Sequence, residues 1–406
     1  MRKINSWILA AIAVHAGIAQ ADWPGFLGPG GNAVVDDRLP LTFAAAKDDQ
    51  PAVNIAWRTE LPGRSVSGPI VVDGKVITTS SSAMEGRWMH VSAVDAETGE
   101  VVWLRSTKAT GRPYCHPLSA NAAPTPCTDG RQIYAFFSSN DLVCYDVDGN
   151  LQWFRSLTDQ HPLAGNDVGM SSSPIVVDGV VVVTVECQAD SFTAGIDSAT
   201  GETKWEISRP RKANWSSPRV ATGHDRQPVV VMHSMQDLVG INPQSGKVAW
   251  TVKLPCSSTT TSVFANGKIY VPSGGVKVFE LPQAMQEPKP LWESSRANPS
   301  SASLLVSPLG VLTLNRSVLV CCDEQGELKW QTRLPDAGQF WATPVIAGET
   351  MYAFALNGKC FVVKLSEEGG EVLEECELGA EVLGSPAISD GAMFVRATDA
   401  LWKISE

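Results

Sequence analysis

The residues able to do chemistry in this chain are dispersed. Histidines stand at 15, 90, 116, 161, 224 and 233, and none has the H-x-H or H-x-x-x-H spacing that sets two imidazoles on one zinc ion. No C-x-x-C-H haem attachment, G-x-S-x-G nucleophile elbow or G-x-x-x-x-G-K-[ST] phosphate loop occurs. Serine runs such as 171–173 recur just before apolar segments and read as structural grammar, not as nucleophiles. Two acidic groupings suit a cation by type. Asp146-Val147-Asp148-Gly149-Asn150 lacks the spacing and closing Glu of an EF-hand and reads as a hairpin turn. Glu186 and Asp190, in VECQADSF, lie in a longer connection on the opposite face and are a weak candidate. We expect no metal and no catalytic residue. The vicinal Cys321-Cys322 lies in the apolar run SVLVCCDEQGELKW, where both thiols read as small buried hydrophobes.

The elements that must position any site repeat along the chain. Trp57, Trp103, Trp153, Trp205, Trp250, Trp292 and Trp330 mark a unit that returns every 38 to 52 residues, a period of propellers or solenoids. Each unit opens with a strand and a polar-Gly turn (SGPIVVDGKVI, SSPIVVDGVVVV). It closes with an Asp/Gly turn and a tryptophan strand (AVDAETGEVVW, CYDVDGNLQW, GIDSATGETKW, GINPQSGKVAW). Short β-rich segments joined by such turns describe a four-stranded antiparallel meander. Further units begin at Thr260, Ser301, Ala342 and Ser385, giving eight. The seventh has Glu374 near the place of its tryptophan, and the eighth, ending ATDALWKISE, lacks a fourth strand. VNIAWRTELPG, around Trp57, looks like that missing strand. The expected fold is all-β: an eight-bladed β-propeller of four-stranded antiparallel blades over 53–406, its last blade closed by an N-terminal strand.

In such blades the first-to-second and third-to-fourth turns share one face, and the other connections share the opposite face. Here the first set is tight (VDG, TDG, ETG, DGN) and the second is long, as in LRSTKATGRPYCHPLSANAA and FRSLTDQHPLAGNDVGMSS. Binding residues concentrate on long ordered loops held by a rigid scaffold. On that face we single out Arg64, Arg112, His116, Asn121, Asn166, Arg211, Asn214, Trp215, Arg316, Gln339 and Trp341. Cations and amides beside two indoles suit a planar or anionic ligand, or anchor a protein partner. The structural alternative, favoured for any single residue, is that Trp215 and Trp341 pack between blades and that the polar groups cap their own loops; the set carries more weight than any member.

Composition bounds the partners. Hydrophobic residues make up 44% and charged residues 18%, enough apolar material for a large core. The net charge is −11, which repels nucleic acid and anionic lipid. Residues 1–21 (MRKINSWILAAIAVHAGIAQA) have two basic residues, an apolar run and a small-x-small end, the pattern of a cleaved secretory signal. The run is too short to span a bilayer, and no cysteine follows Ala21 to carry a lipid. A periplasmic or secreted location follows. The nine cysteines leave at least one unpaired. If Leu365 faces Glu371, Cys360 falls opposite Cys376, within reach of a cross-strand bridge.

The Ala-x-Asp-x-x-x-Gly-x-x-x-Trp units resemble the PQQ-repeat propellers, which include BamB-type outer-membrane assembly proteins and quinoprotein dehydrogenases. DWPGFLGPGGNAV, at 22–34, resembles the Trp-Pro-x-x-x-Gly-Pro opening of many planctomycete propellers of this type, and 22–52 should pack over one face of the ring. The resemblance implies a non-enzymatic scaffold that binds a protein or an extracellular glycan through its long-loop face, without a cofactor. Ring closure points to a monomer. The alternative it implies is a small quinoprotein oxidoreductase, with PQQ, calcium and an Asp base. The vicinal cysteines of methanol dehydrogenase relatives pack against the quinone, whereas Cys321-Cys322 falls before a third-strand turn.

Overall fold

The computed structural model describes residues 23–406, so the secretory-type segment 1–21 lies outside the described residues. Eight antiparallel sheets follow one another around a ring, each with the strand order of a meander. Blade 1 comprises Ile70–Val72, Lys75–Ser82, Trp88–Asp95 and Val101–Lys108. Blades 2 to 7 repeat the plan, with innermost strands at Cys127–Thr128, Ile175–Val177, Arg219–Thr222, Val263–Ala265, Leu305–Ser307 and Val345–Ala347. Blade 8 joins Ala387–Ser389, Ala392–Arg396 and Ala400–Ile404 to Ile55–Glu60, with Trp57 opposite Lys403. The ends of the chain therefore close the ring, and no blade of the described residues is left with three strands.

The tryptophan repeat has a mechanical cause. Each indole reaches the third-to-fourth turn of the next blade: Trp103 Nε1 donates to Val147 O at 3.1 Å, Trp153 to Ser198 O at 2.9 Å and Trp205 to Pro243 O at 2.7 Å. The turn glycine makes room. At Gly149 the backbone is left-handed (φ 80°), and a Cβ there would sit 2.6 Å from the Trp103 ring, so only glycine satisfies both the turn and the packing. The turn's Asp accepts backbone N–H groups; Asp146 Oδ1 takes those of Asp148 and Asn150, which accounts for the 146–150 acidic cluster as a capped turn. Glu374 does occupy the tryptophan position of blade 7, opposite Val362. Blade 8 has no third-to-fourth turn to receive an indole, because its fourth strand comes from the other end of the chain.

The segment before the ring closes its turn end. Trp23 pairs its backbone with Val71, and Arg219 Nη1 donates to Phe26 O at 2.6 Å. Val34–Val35 adds a short parallel strand to Val345–Ala347. Tyr352 Oη then donates to Leu39 O, Asp37 Oδ2 accepts from Gly391 N, and Phe43 packs on Phe354. The strap thus crosses the centre of the turn face and leaves between blades 7 and 8.

Cys360 faces Cys376, as the hairpin count expected, but by a different register. Leu365 pairs with Gly370 instead of Glu371, and a bulge between Val362 and Val363 restores the count. All nine cysteines are free thiols, eight of them buried. Burial raises the pKa of Cys360 and Cys376, so both are held as unreactive thiols. Cys321 and Cys322 lie in the third strand of blade 6, inside the core.

Candidate functional site

The innermost strands are short, and their free edges line the central channel. Just before seven of the eight strands the chain carries Ser or Thr, usually followed by proline: Thr125-Pro126, Ser173-Pro174, Ser217-Pro218, Thr343-Pro344 and Ser385-Pro386. Proline keeps the residue before it extended, which aims that residue at the axis. The exposed N–H groups then find partners in the next blade. Thr125 N donates to Ser173 Oγ at 3.0 Å, Ser173 N to Ser217 Oγ at 2.9 Å and Ser217 N to Thr261 Oγ1 at 3.0 Å. Thr261 N continues to Ser303, Ser303 N to Thr343 and Thr343 N to Ser385. Gly68 N donates into the ring at Thr125 Oγ1 but supplies no hydroxyl of its own. Edge donors that would otherwise face the channel unpaired are satisfied in this way.

Above this ring, toward the long loops, opens a cavity of about 430 Å³. The strap's Phe26 contributes from the turn side; Trp215, Trp341 and Leu383 stand two residues before ring positions, and His116, Leu118, Val168 and Met170 come from two loops. Trp215 is held by its indole N–H on Gly169 O at 2.8 Å. His116 Nδ1 accepts from Leu118 N at 3.1 Å, folding its loop over the rim. The lining contains eleven Ser or Thr residues and no Asp, Glu, Lys or Arg.

Of the eleven residues chosen from the sequence, the structure brings His116, Trp215 and Trp341 together in this cavity. Arg64 stands beside it, donating from Nε to Ser119 O at 3.3 Å and pairing with Glu381 at 3.2 Å. Three amides are buried loop braces. Asn121 Nδ2 donates to Gly86 O while its carbonyl accepts from Ser139 N; Asn166 donates to Glu186 O; Asn214 donates to Glu186 Oε2 and His233 O. Arg112 is exposed over Tyr114 and pairs with Asp167. Arg211, Arg316 and Gln339 are exposed on the same face, outside the cavity.

Glu186 is not available to a cation. It lies 2.6 Å from Arg209, whose other arm reaches Asp237 at 3.2 Å, all between blades 3 and 4. Burial raises the Glu186 pKa against the lowering pull of Arg209. Asp190 accepts from Leu163 N. Among the described residues no group of three His, Cys, Asp or Glu side chains is placed to hold a metal ion. The ring of hydroxyls was missed as a site, although its Ser/Thr-Pro signal is plain in the sequence.

The family model for the outer membrane protein assembly factor BamB matches residues 49–166 and 164–271, more than half of the chain. The chain belongs to this PQQ-repeat propeller family. Its relatives include the BamB of Moranella endobia, 21% identical over 313 residues, covering 66% of this chain and 76% of that protein. The crystal structure of BamB from Moraxella catarrhalis superposes with a TM-score of 0.64 at 13% identity, covering 87% of this propeller and 97% of that chain. The quinohemoprotein alcohol dehydrogenase from Comamonas testosteroni superposes equally broadly, with a TM-score of 0.69 at 12% identity over 94% of this chain and 80% of that one. At such identities the structural likeness shows the fold alone.

Proposed function

We propose that this BamB-family propeller is an exported binding protein that seats a protein partner on its long-loop face, in a scaffolding or assembly role. One observation carries the reading. Met84, Tyr114, Leu118, Leu163, Val168, Met235 and Trp341 are large apolar residues exposed on the connections of that face, with Met84 75% and Leu163 68% accessible. Among the turn-face connections Met285 is the counterpart. Met, Trp and Tyr gathered on one exposed surface are the composition of protein interfaces. The name of the family, assembly factor, points the same way. The ring pairs its own edges, so we infer a monomer. Among the described residues no helix is long and apolar enough to cross a membrane, and export rests on the sequence of residues 1–21.

The likeness to the quinohemoprotein alcohol dehydrogenase suggests a second reading, a PQQ-dependent oxidoreductase, and the cavity is where its chemistry would have to sit. Calcium in such a centre takes six to eight oxygen ligands with carboxylates among them, and the acidic groups of the quinone need cationic partners. A lining without Asp, Glu, Lys or Arg supplies neither, so the residues present do not fit that pair and we derive no catalytic step. The scaffold reading is tested by photo-crosslinking in the periplasm from positions 114 and 163, with 291 on the outer rim as reference. The same partner, identified by mass spectrometry from 114 and 163 and absent from 291, is the expected result. Equal labelling from all three sites would reject this face as the docking surface.

A further inference from the structure

The cavity has a chemistry of its own in its hydroxyl floor, although Leu118, Val168 and Trp341 belong both to its rim and to the apolar loop face. Seven ring hydroxyls, those of Thr125, Ser173, Ser217, Thr261, Ser303, Thr343 and Ser385, each accept an N–H from the neighbouring blade at 2.9–3.0 Å. A hydroxyl carries one donor beside its acceptor lone pairs, and none of these seven gives its hydrogen to a protein acceptor among the described residues. The blades thus present a circle of unspent O–H donors toward one space. Between that circle and solvent stand the two indoles, Trp215 fixed through its N–H and Trp341 more than a third exposed.

The ligand class follows by comparing costs. An anion would leave water for a lining that holds no Lys or Arg, and a cation for one that holds no carboxylate; an unpaired charge in such a place costs several kcal/mol. A purely apolar ligand would leave the O–H groups dry, at about 1–3 kcal/mol for each buried one. A neutral polyol avoids both penalties. Its oxygens accept from the hydroxyl circle, and the C–H faces of its ring lie on the indoles, which are apolar surfaces with an electron-rich face. The volume, about 430 Å³, falls within the usual range of small-ligand sites, roughly 300–1,000 Å³, and has room for a sugar ring.

We propose that the central cavity binds a neutral hexopyranose, entering from the long-loop side and resting above Phe26. The site stands on the cavity and not on the docking of a protein to the loops. Isothermal titration of the full purified chain with neutral methyl glucosides, mannosides and galactosides, set against glucuronate and glucosamine, tests it. Saturable one-to-one binding of at least one neutral sugar is expected, with its charged analogue about tenfold weaker or more. Trp341→Ala should weaken that binding about tenfold, the worth of one aromatic contact; Trp341→Phe should restore most of it, and Leu291→Ala on the outer rim should change nothing. No heat from any neutral sugar overturns the proposal, as does a charged sugar that binds equally well or binding that ignores Trp341→Ala. Because Trp341 is surface-exposed, an unaltered unfolding transition shows that the variant is folded. The crosslinking pattern from position 163 is read separately, so failure here leaves the docking result standing on its own.

Discussion

At the turn end of the channel, Trp23 is 2% exposed and exchanges two backbone hydrogen bonds with Val71, while the neighbouring strap residues bond to blades 4, 6 and 7. At the loop end, Trp341 keeps 37% of its surface in solvent, and the connections around it expose further apolar side chains. The two ends use the same residue type for different purposes. Closing one end with the chain itself gives the ring a fixed floor and frees the other for a ligand, since a site is most precise when rigid elements support it. If this division is real, substitutions at the turn end must register mainly in stability and those at the loop end mainly in binding.

The largest effect is expected at the floor. Trp23→Ala removes a fully buried indole, and the loss should be about 3–5 kcal/mol of unfolding free energy, read as a lower midpoint in urea. A cost below about 1 kcal/mol would mean that the strap lies on the ring without supporting it, and the contrast between the ends would dissolve.

The loop end is not soft throughout. His233, at the inner end of its strand in blade 4, is 2% exposed, with Nδ1 2.6 Å from Ser262 Oγ and Nε2 3.1 Å from Ser257 O. Nε2–H donates to that carbonyl, so Nδ1 accepts. Burial is the main cause that lowers its pKa from 6.5 to about 4; the Ser257 and Thr260 backbone bonds and Asp237 act to raise it, while Arg209 lowers it further. The unfolded chain therefore binds a proton that the native one refuses between about pH 6.5 and 4. This contribution is intact above the unfolded pKa and is lost as pH falls through that window, on the order of 3 kcal/mol in all. Urea titrations from pH 7 to 4 should show this fall in wild type and a flatter profile in His233→Gln. Parallel profiles would place the acid sensitivity elsewhere.

A smaller effect tests the ring between the two ends. By pattern, Ser at position 68 would complete the eight-membered hydroxyl circle. By geometry it should not fit, because a Cβ on Gly68 would lie 2.6 Å from the Ser385 carbonyl oxygen, where blades 8 and 1 meet backbone to backbone. Gly68→Ser should cost about 1–3 kcal/mol, the usual penalty of overpacking. A neutral or stabilised variant would show that the seam can open by the few tenths of an ångström required.

What could be read in the sequence divides along similar lines. The indole and the turn it meets recur at seven of the eight blade junctions, so the blade count, the closure by Trp57 and the anomaly at Glu374 are all legible in the sequence. His116, Trp215 and Trp341 were recognisable because their types are unusual in loops. Asn121, Asn166 and Asn214 carry the same signal as binding amides, yet their partners are backbone groups that only the folded loops bring near. The path of the strap depends on contacts such as Asn32 with Val306, 274 positions apart, for which spacing gives no clue. The hydroxyl circle was written plainly as Ser/Thr-Pro, but its convergence on one space is a product of ring closure and belongs to no single repeat.

The smallest expected effect is the sharpest test of the contrast. Trp341→Ala removes an indole as large as that of Trp23, from a site where solvent already reaches more than a third of it. Its side chain bonds to no other group among the described residues, so little packing is lost, and the unfolding free energy should move by no more than about 0.5 kcal/mol. Sugar affinity should fall about tenfold in the same variant. A large loss of stability would instead make Trp341 a strut between blades, and the loop end would then be held by the same means as the floor.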